Sequence, residues 1–167
     1  QKHNVKSHTI IEAHPDVYDY MVKNGWDRKP NVNILYGRWQ EFVDGLIASG
    51  IKYDAIYFDT FGEYYQDQKS LQERIPDLLK EDGAYSFFNG LGARNSFFYD
   101  VYAHVVTGDL EELGLQVTFI DIPIDVTENR IWEGLNEEPR YFNLKTYRLP
   151  MCHLISSITY NEEDESK

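Results

Sequence analysis

The sequence predicts an α/β fold with a mostly parallel sheet, and three observations carry that prediction. Short apolar runs alternate with segments of helical periodicity between residues 8 and 113, an order that produces parallel strands with covering helices. Two of these runs end in a carboxylate, Glu12 and Asp59, and the carboxyl edge of a parallel sheet is where open α/β folds bind ligands. The last two strand segments have no convincing helix between them, so an antiparallel pair is expected at the sheet edge.

Each element has a local reason. Residues 8–13 form a short buried-strand pattern. Pro15 then opens a helix to Lys23, since proline in the first turn costs no hydrogen bond, and Gly25 ends it. Residues 31–36 alternate as a strand, and residues 39–48 place apolar side chains at 39, 42, 43, 46 and 47, the helical spacing. Residues 53–59, Tyr-Asp-Ala-Ile-Tyr-Phe-Asp, are the strongest strand segment. An amphipathic helix is expected over 67–80, with Leu71, Ile75, Leu78 and Leu79 on one side and Glu81-Asp82-Gly83 closing it. Residues 84–88 read as the next strand and 97–113 as a helix. Residues 115–122 and 141–149 are the closing strands, joined by a polar loop rich in Glu, Asn and Arg.

A chain of 167 residues suits one domain with its own core, since domains hold roughly 100–200 residues. Residues 1–158 are read as that domain, and 159–167 as an acidic, solvated tail. Sixteen Lys and Arg against 28 Asp and Glu give a net charge of -12, which opposes nonspecific nucleic-acid binding and favours a cationic partner. The single cysteine, Cys152, sits between Met151 and Leu154 and reads as a buried structural thiol. One cysteine excludes an internal disulfide and suits a reducing compartment. No run of about 20 apolar residues could span a bilayer, so the expected address is cytosolic or nuclear. The histidines at 3, 8, 14, 104 and 153 have no metal-site spacing, and no serine or cysteine nucleophile motif or phosphate loop is present.

A nucleotide site in such a fold normally has a glycine-rich turn after the first strand, where backbone amides approach the ligand. Residues 1–11 contain no glycine. The expected first strand, its glycine turn and its helix are therefore missing. The chain reads as the carboxyl-terminal portion of a larger protein; the alternative is a fold reduced to something that does not bind a nucleoside.

Four segments then carry a family resemblance: Ile10-Ile-Glu-Ala-His-Pro-Asp-Val, Gly37-Arg-Trp-Gln, Tyr57-Phe-Asp-Thr-Phe and Phe88-Asn-Gly-Leu. In this order they resemble motifs of class I S-adenosylmethionine-dependent methyltransferases, which have a Rossmann-like sheet. More narrowly they resemble the guanidinoacetate methyltransferase group and, within it, the fungal arginine N-methyltransferase 2 type, which acts on the internal δ-nitrogen of protein arginine. The likeness covers roughly residues 8–155.

The resemblance implies S-adenosylmethionine as cofactor and assigns roles to matching positions. Glu12 would bind the ribose hydroxyls, because a carboxylate can accept two hydrogen bonds from a vicinal diol. Arg38 and Trp39 would lie beside the adenine, although packing of helix on sheet explains Trp39 nearly as well. Asp59 would hold the guanidino group of the acceptor as the main catalytic residue, and the same acid borders the cofactor. Guanidinium is a poor nucleophile while protonated, so a carboxylate that orients it and takes a proton lowers the barrier. Thr60 would stand beside the acceptor. Glu63, Tyr64 and Tyr65 either line the acceptor channel or are solvated loop residues. Asn89, with Gly90 and Gly92 behind it, would border the acceptor. Tyr57 shares the Asp59 face by alternation and either stacks near the site or packs under a helix, packing being the favoured reading. The second acceptor-binding acid and the methionine-gripping residues of the family have no counterpart here.

The leading function is therefore methyl transfer to a guanidino nitrogen of a basic protein, a ribosomal one being an example, with neither nucleic acid nor membrane as partner and no metal. Methylation of guanidinoacetate is the near alternative. An inert methyltransferase-like binding module is the alternative of a different class, and a nicotinamide dehydrogenase is a distant third.

Overall fold

Proline and glycine mark several element boundaries in the computed structural model, which describes residues 5–60, 64–90, 95–124 and 146–155. The chain divides into two units, residues 1–51 and 52–167.

The first unit is a βαβα run: β1 (His8–Glu12), α1 (Pro15–Lys23), β2 (Val32–Tyr36) and α2 (Trp39–Ala48). Both helices have the bounds that the sequence predicts. Pro15 lies in the first turn of α1, and Gly25, at φ 72°, follows its last turn in the left-handed region that glycine tolerates. β1 and β2 pair in parallel, with Glu12 opposite Tyr36. The turn into α2 depends on Gly37, whose φ is 148°. A Cβ there would lie 2.8 Å from Glu41 Oε2 and 2.9 Å from the Phe42 ring. Glu41 in turn accepts from Arg38 N at 3.2 Å, satisfying one of the free donors at the start of α2.

The second unit comprises β3 (Tyr53–Phe58), α3 (Tyr65–Gln72), α4 (Ile75–Leu78), β4 (Leu79–Phe87), α5 (Ser96–Glu112), β5 (Leu115–Pro123) and β6 (Thr146–Leu154). Its sheet order is β3-β4-β6-β5. β3 and β4 are parallel, while β6 is antiparallel to both β4 and β5. β3, β4 and β5 therefore share one direction and β6 alone is reversed, which gives the mostly parallel sheet and the antiparallel edge pair.

Three boundaries differ from expectation. The helix expected over 67–80 is two helices, because α3 stops at Gln72 and Pro76 lies in the first turn of α4; proline cannot donate to the preceding turn. The strand expected over 84–88 begins earlier, at Leu79. Tyr53 pairs with Leu79 and Ala55 with Ala84, so the Glu81-Asp82-Gly83 turn interrupts the ladder and does not end a helix. Gly83 is required there: a Cβ would lie 2.8 Å from the Leu79 side chain and 2.9 Å from Lys80 O. The strand expected over 141–149 is β6 at Thr146–Leu154; residues 141–145, the polar loop and the tail lie outside the described residues.

The second unit's core lies between its sheet and α3–α5. Ile75, Tyr85, Phe87, Val106, Leu110, Leu115 and Cys152 are fully buried. Burial pushes the Cys152 thiol up to about 12, as befits the structural thiol read from the sequence.

Candidate functional site

In the first unit, the carboxyl ends of β1 and β2 bring Glu12 beside the Gly37–Trp39 turn. Gly37 N donates to Glu12 O at 3.0 Å. Glu12 Oε1 accepts from His14 N at 2.7 Å, which holds the carboxylate at the mouth of α1. A carboxylate offers about four acceptor sites, so this bond orients the group and leaves capacity for a vicinal diol. The remaining acceptor capacity thus suits the two hydroxyls of a ribose. Arg38 is exposed, whereas Trp39 is buried as the first residue of α2.

In the second unit, Asp59 and Thr60 follow β3 directly and are both exposed. Among the described residues, Asp59 has no ion-pair partner. Tyr57 is 58% exposed, so the expectation that it packs under a helix fails. Its ring lies on the face of β3 that continues to Asp59. Desolvation, and next the charge of Asp59, raise the Tyr57 phenol above its ordinary range. Desolvation is also the main cause of the raised pKa of Tyr147, with Tyr57, Tyr99 and Asp59 adding to it. Both phenols therefore stay neutral beside the acid.

Asn89, two residues past β4, is fully buried. Its N donates to Tyr147 Oη at 2.8 Å, and its Nδ2 donates to Arg148 O at 3.1 Å and contacts Tyr99 Oη at 3.2 Å. A carbonyl partner fixes which end of the amide is nitrogen. Arg148 N also donates to Tyr99 Oη at 3.0 Å. Asn89 thereby ties the end of β4 to α5 and β6, while its Oδ1 is buried without a hydrogen-bond partner among the described residues. Such a residue is a fastening point between strands and helix more than a contact surface.

Tyr65, the first residue of α3, packs edge-on against Tyr102 of α5 with centroids 5.8 Å apart. Tyr64 is 79% exposed. Glu63 and Gly92 lie outside the described residues. Sequence reasoning missed Tyr147, which lies inside the expected strand with no signal of its own, and Tyr99, which is one apolar position of a long helix. Only the hydrogen bonds to Asn89 single them out.

The fold is that of class I methyltransferases. A precorrin-6y C5,15-methyltransferase from Geobacter metallireducens superposes with TM-score 0.59 at 14% identity, covering 89% of this chain and 67% of that one. An Aeropyrum pernix fibrillarin with natively bound S-adenosyl-L-methionine gives TM-score 0.52 at 12% identity, covering 87% and 55%. No family model matches the sequence. Protein arginine N-methyltransferase 2 of Yarrowia lipolytica is 42% identical over 156 residues, 91% of this chain and 32% of that protein. The protein of the same name from Cryptococcus neoformans is 43% identical over 158 residues, 88% of this chain and 43% of that protein. Over about nine-tenths of its length the chain is homologous to these arginine N-methyltransferase 2 proteins, as its motifs imply, and it spans about a third to two-fifths of their length.

Proposed function

We propose that this chain supplies the acceptor side, and part of the cofactor side, of an S-adenosylmethionine-dependent N-methyltransferase acting on protein arginine, with the δ-nitrogen as target. The observation that carries the reading is Asp59. It is exposed just beyond β3, in a chain of which nine-tenths aligns with arginine methyltransferases at about two-fifths identity. Bound S-adenosylmethionine supplies an electrophilic methyl group. Glu12 would accept from the ribose hydroxyls, with Arg38 and Trp39 beside the adenine. Asp59 binds the guanidinium edge, turns one nitrogen toward the reaction centre and takes the proton that this nitrogen must lose. Placement of this kind supplies much of the rate of an in-line transfer. Thr60, Tyr65 and Asn89 complete the acceptor side, Asn89 through the groups it holds.

The net charge of -12 suits a basic acceptor protein, a ribosomal one among them, because complementary charge speeds encounter. A reduced, buried Cys152 accords with work in the cytosol or nucleus. No described helix is long and apolar enough to cross a membrane.

The test is Asp59→Asn in the longest protein that carries this sequence. Turnover on an arginine-containing protein should fall by roughly 100-fold or more, while the affinity for S-adenosylhomocysteine, measured by calorimetry, stays within about twofold. Near-normal turnover would remove Asp59 from the mechanism. Absence of cofactor binding by the folded parent protein would favour an inert binding module.

A further inference from the structure

Strand alternation sorts the residues around Asp59 onto two sides of the second sheet. Tyr85, Phe87 and Asn89 share the α5 side, since Asn89 reaches Tyr99 of α5 and Cys152 pairs opposite Tyr85. Ser86 and Phe88 are on the other side. Tyr57 pairs with Ser86, so it lies there too, and Asp59 continues its face. The Tyr147 ring stacks on Phe88, with centroids 5.6 Å apart and planes at 22°. Two phenol rings and one carboxylate thus share one side of the strand ends.

Tyr147 is held from two directions, by the Phe88 ring and by Asn89 N, which donates to its oxygen at 2.8 Å. Tyr57 is open to solvent over more than half of its surface. A guanidinium is planar and weakly hydrated: it stacks flat on aromatic rings while its edge donates to a carboxylate. A lysine ammonium is compact and strongly hydrated, and gains less from the same surroundings.

We propose that Tyr57 and Tyr147 are specificity-determining residues that take the flat face of a guanidinium whose edge Asp59 binds, with Asn89 positioning Tyr147. This deepens the reading of the protein as an arginine methyltransferase and rests on it. The pair selects arginine over lysine by shape and hydration, a choice that Asp59 alone, as a negative charge, makes poorly.

The experiment uses the longest protein that carries this sequence, with two peptides that differ only in arginine or lysine at the acceptor position. Binding is measured by calorimetry and methyl transfer by steady-state kinetics. Tyr57→Ala and Tyr147→Ala should each weaken arginine-peptide binding roughly 2- to 30-fold, the range of a cation–aromatic contact. KM should rise more than kcat falls, S-adenosylhomocysteine affinity should hold, and the preference over lysine should shrink. Tyr147→Phe, which keeps the ring, should restore most of that preference. Because Tyr57 is exposed, its variant stays informative even where Tyr147→Ala does not fold.

A preference for arginine that survives in the folded alanine variants, or no such preference in the parent protein, overturns the proposal. A parent protein that prefers arginine in binding, loses this in the variants and yet transfers no methyl group supports the pair and defeats the enzymatic reading. The two failures are therefore separable.

Discussion

The first and second units both alternate strand and helix, yet they bury their strands to different depths. Every residue of β1 is half-buried, and among the described residues only Trp39 and Val43 of the first unit belong to the buried apolar core. β4 instead alternates fully buried Tyr85 and Phe87 with half-buried neighbours, and α5 adds Tyr99, Ala103, Val106 and Leu110. Both units end a strand in an acid. The first holds its acid by local bonds, Glu12 to the amide of His14. The second leaves its acid exposed just after β3, where its charge acts on Tyr57 of the same strand and on Tyr147 of β6, far apart in sequence. Local bonding makes the first site readable from a short segment, whereas the second exists only once the sheet has assembled.

The widest gap between the units should appear on core truncation. Phe87→Ala, at a site with no exposed surface, should cost roughly 3–5 kcal/mol in chemical denaturation, and Val43→Ala markedly less. Equal costs would remove the contrast in burial. Alkaline pH should weaken the same unit. The Cys152 thiol rises from 9.0 to about 12 on folding, so its contribution is complete below pH 9 and is lost as pH climbs toward 12. Each pH unit in that window removes up to roughly 1.4 kcal/mol. Melting curves across pH 8–11 should show the decline, and Cys152→Ala should lessen it between pH 9 and 10, above which Tyr85, Tyr102 and Tyr147, raised chiefly by desolvation, add to it.

Gly37→Ala strains the turn of the first unit through a disfavoured φ and a contact with the Glu41 and Phe42 side chains. A loss of about 2 kcal/mol is expected, together with weaker S-adenosylhomocysteine binding in the longest protein, and binding at parental strength would detach this turn from the cofactor. Asn95 caps α5 by accepting from Phe97 N and Phe98 N, so Asn95→Ala should lower stability by about 1 kcal/mol in urea titration. The smallest effect belongs to the exposed pair Lys80–Asp54, at 2.8 Å with Asp54 86% exposed. Asp54→Asn should change stability by less than about 0.5 kcal/mol, and a larger loss would show that the interrupted ladder beside it depends on that charge.

The βαβα run was legible almost residue by residue, because Pro15, Gly25 and the 39–42–43–46–47 spacing are local signals. The error over 67–80 came from weighing apolar spacing above Pro76: Leu78 and Leu79 are buried in either conformation, so burial alone does not separate helix from strand. The end of β6 runs five residues past the expected 149, to Leu154, for a similar reason. Its alternation is weak, with Pro150 and Cys152 as the buried positions, and its register is set by pairing with β5 from Leu115↔Leu154 to Pro123↔Thr146.

The sequence by itself determined the α/β class, the two strand-end acids, the buried thiol and the family. These depend on residue type and on spacing within a strand or helix, and such local preferences hold before any long-range contact forms. Tertiary structure decided that Asn89 is a buried fastening and not a surface contact, that Tyr57 is open beside Asp59, and that Tyr147 joins it. Those facts depend on which strands neighbour one another. Residues 57, 89 and 147 meet only through the order β3-β4-β6, and no local propensity encodes the pairing of segments about sixty residues apart.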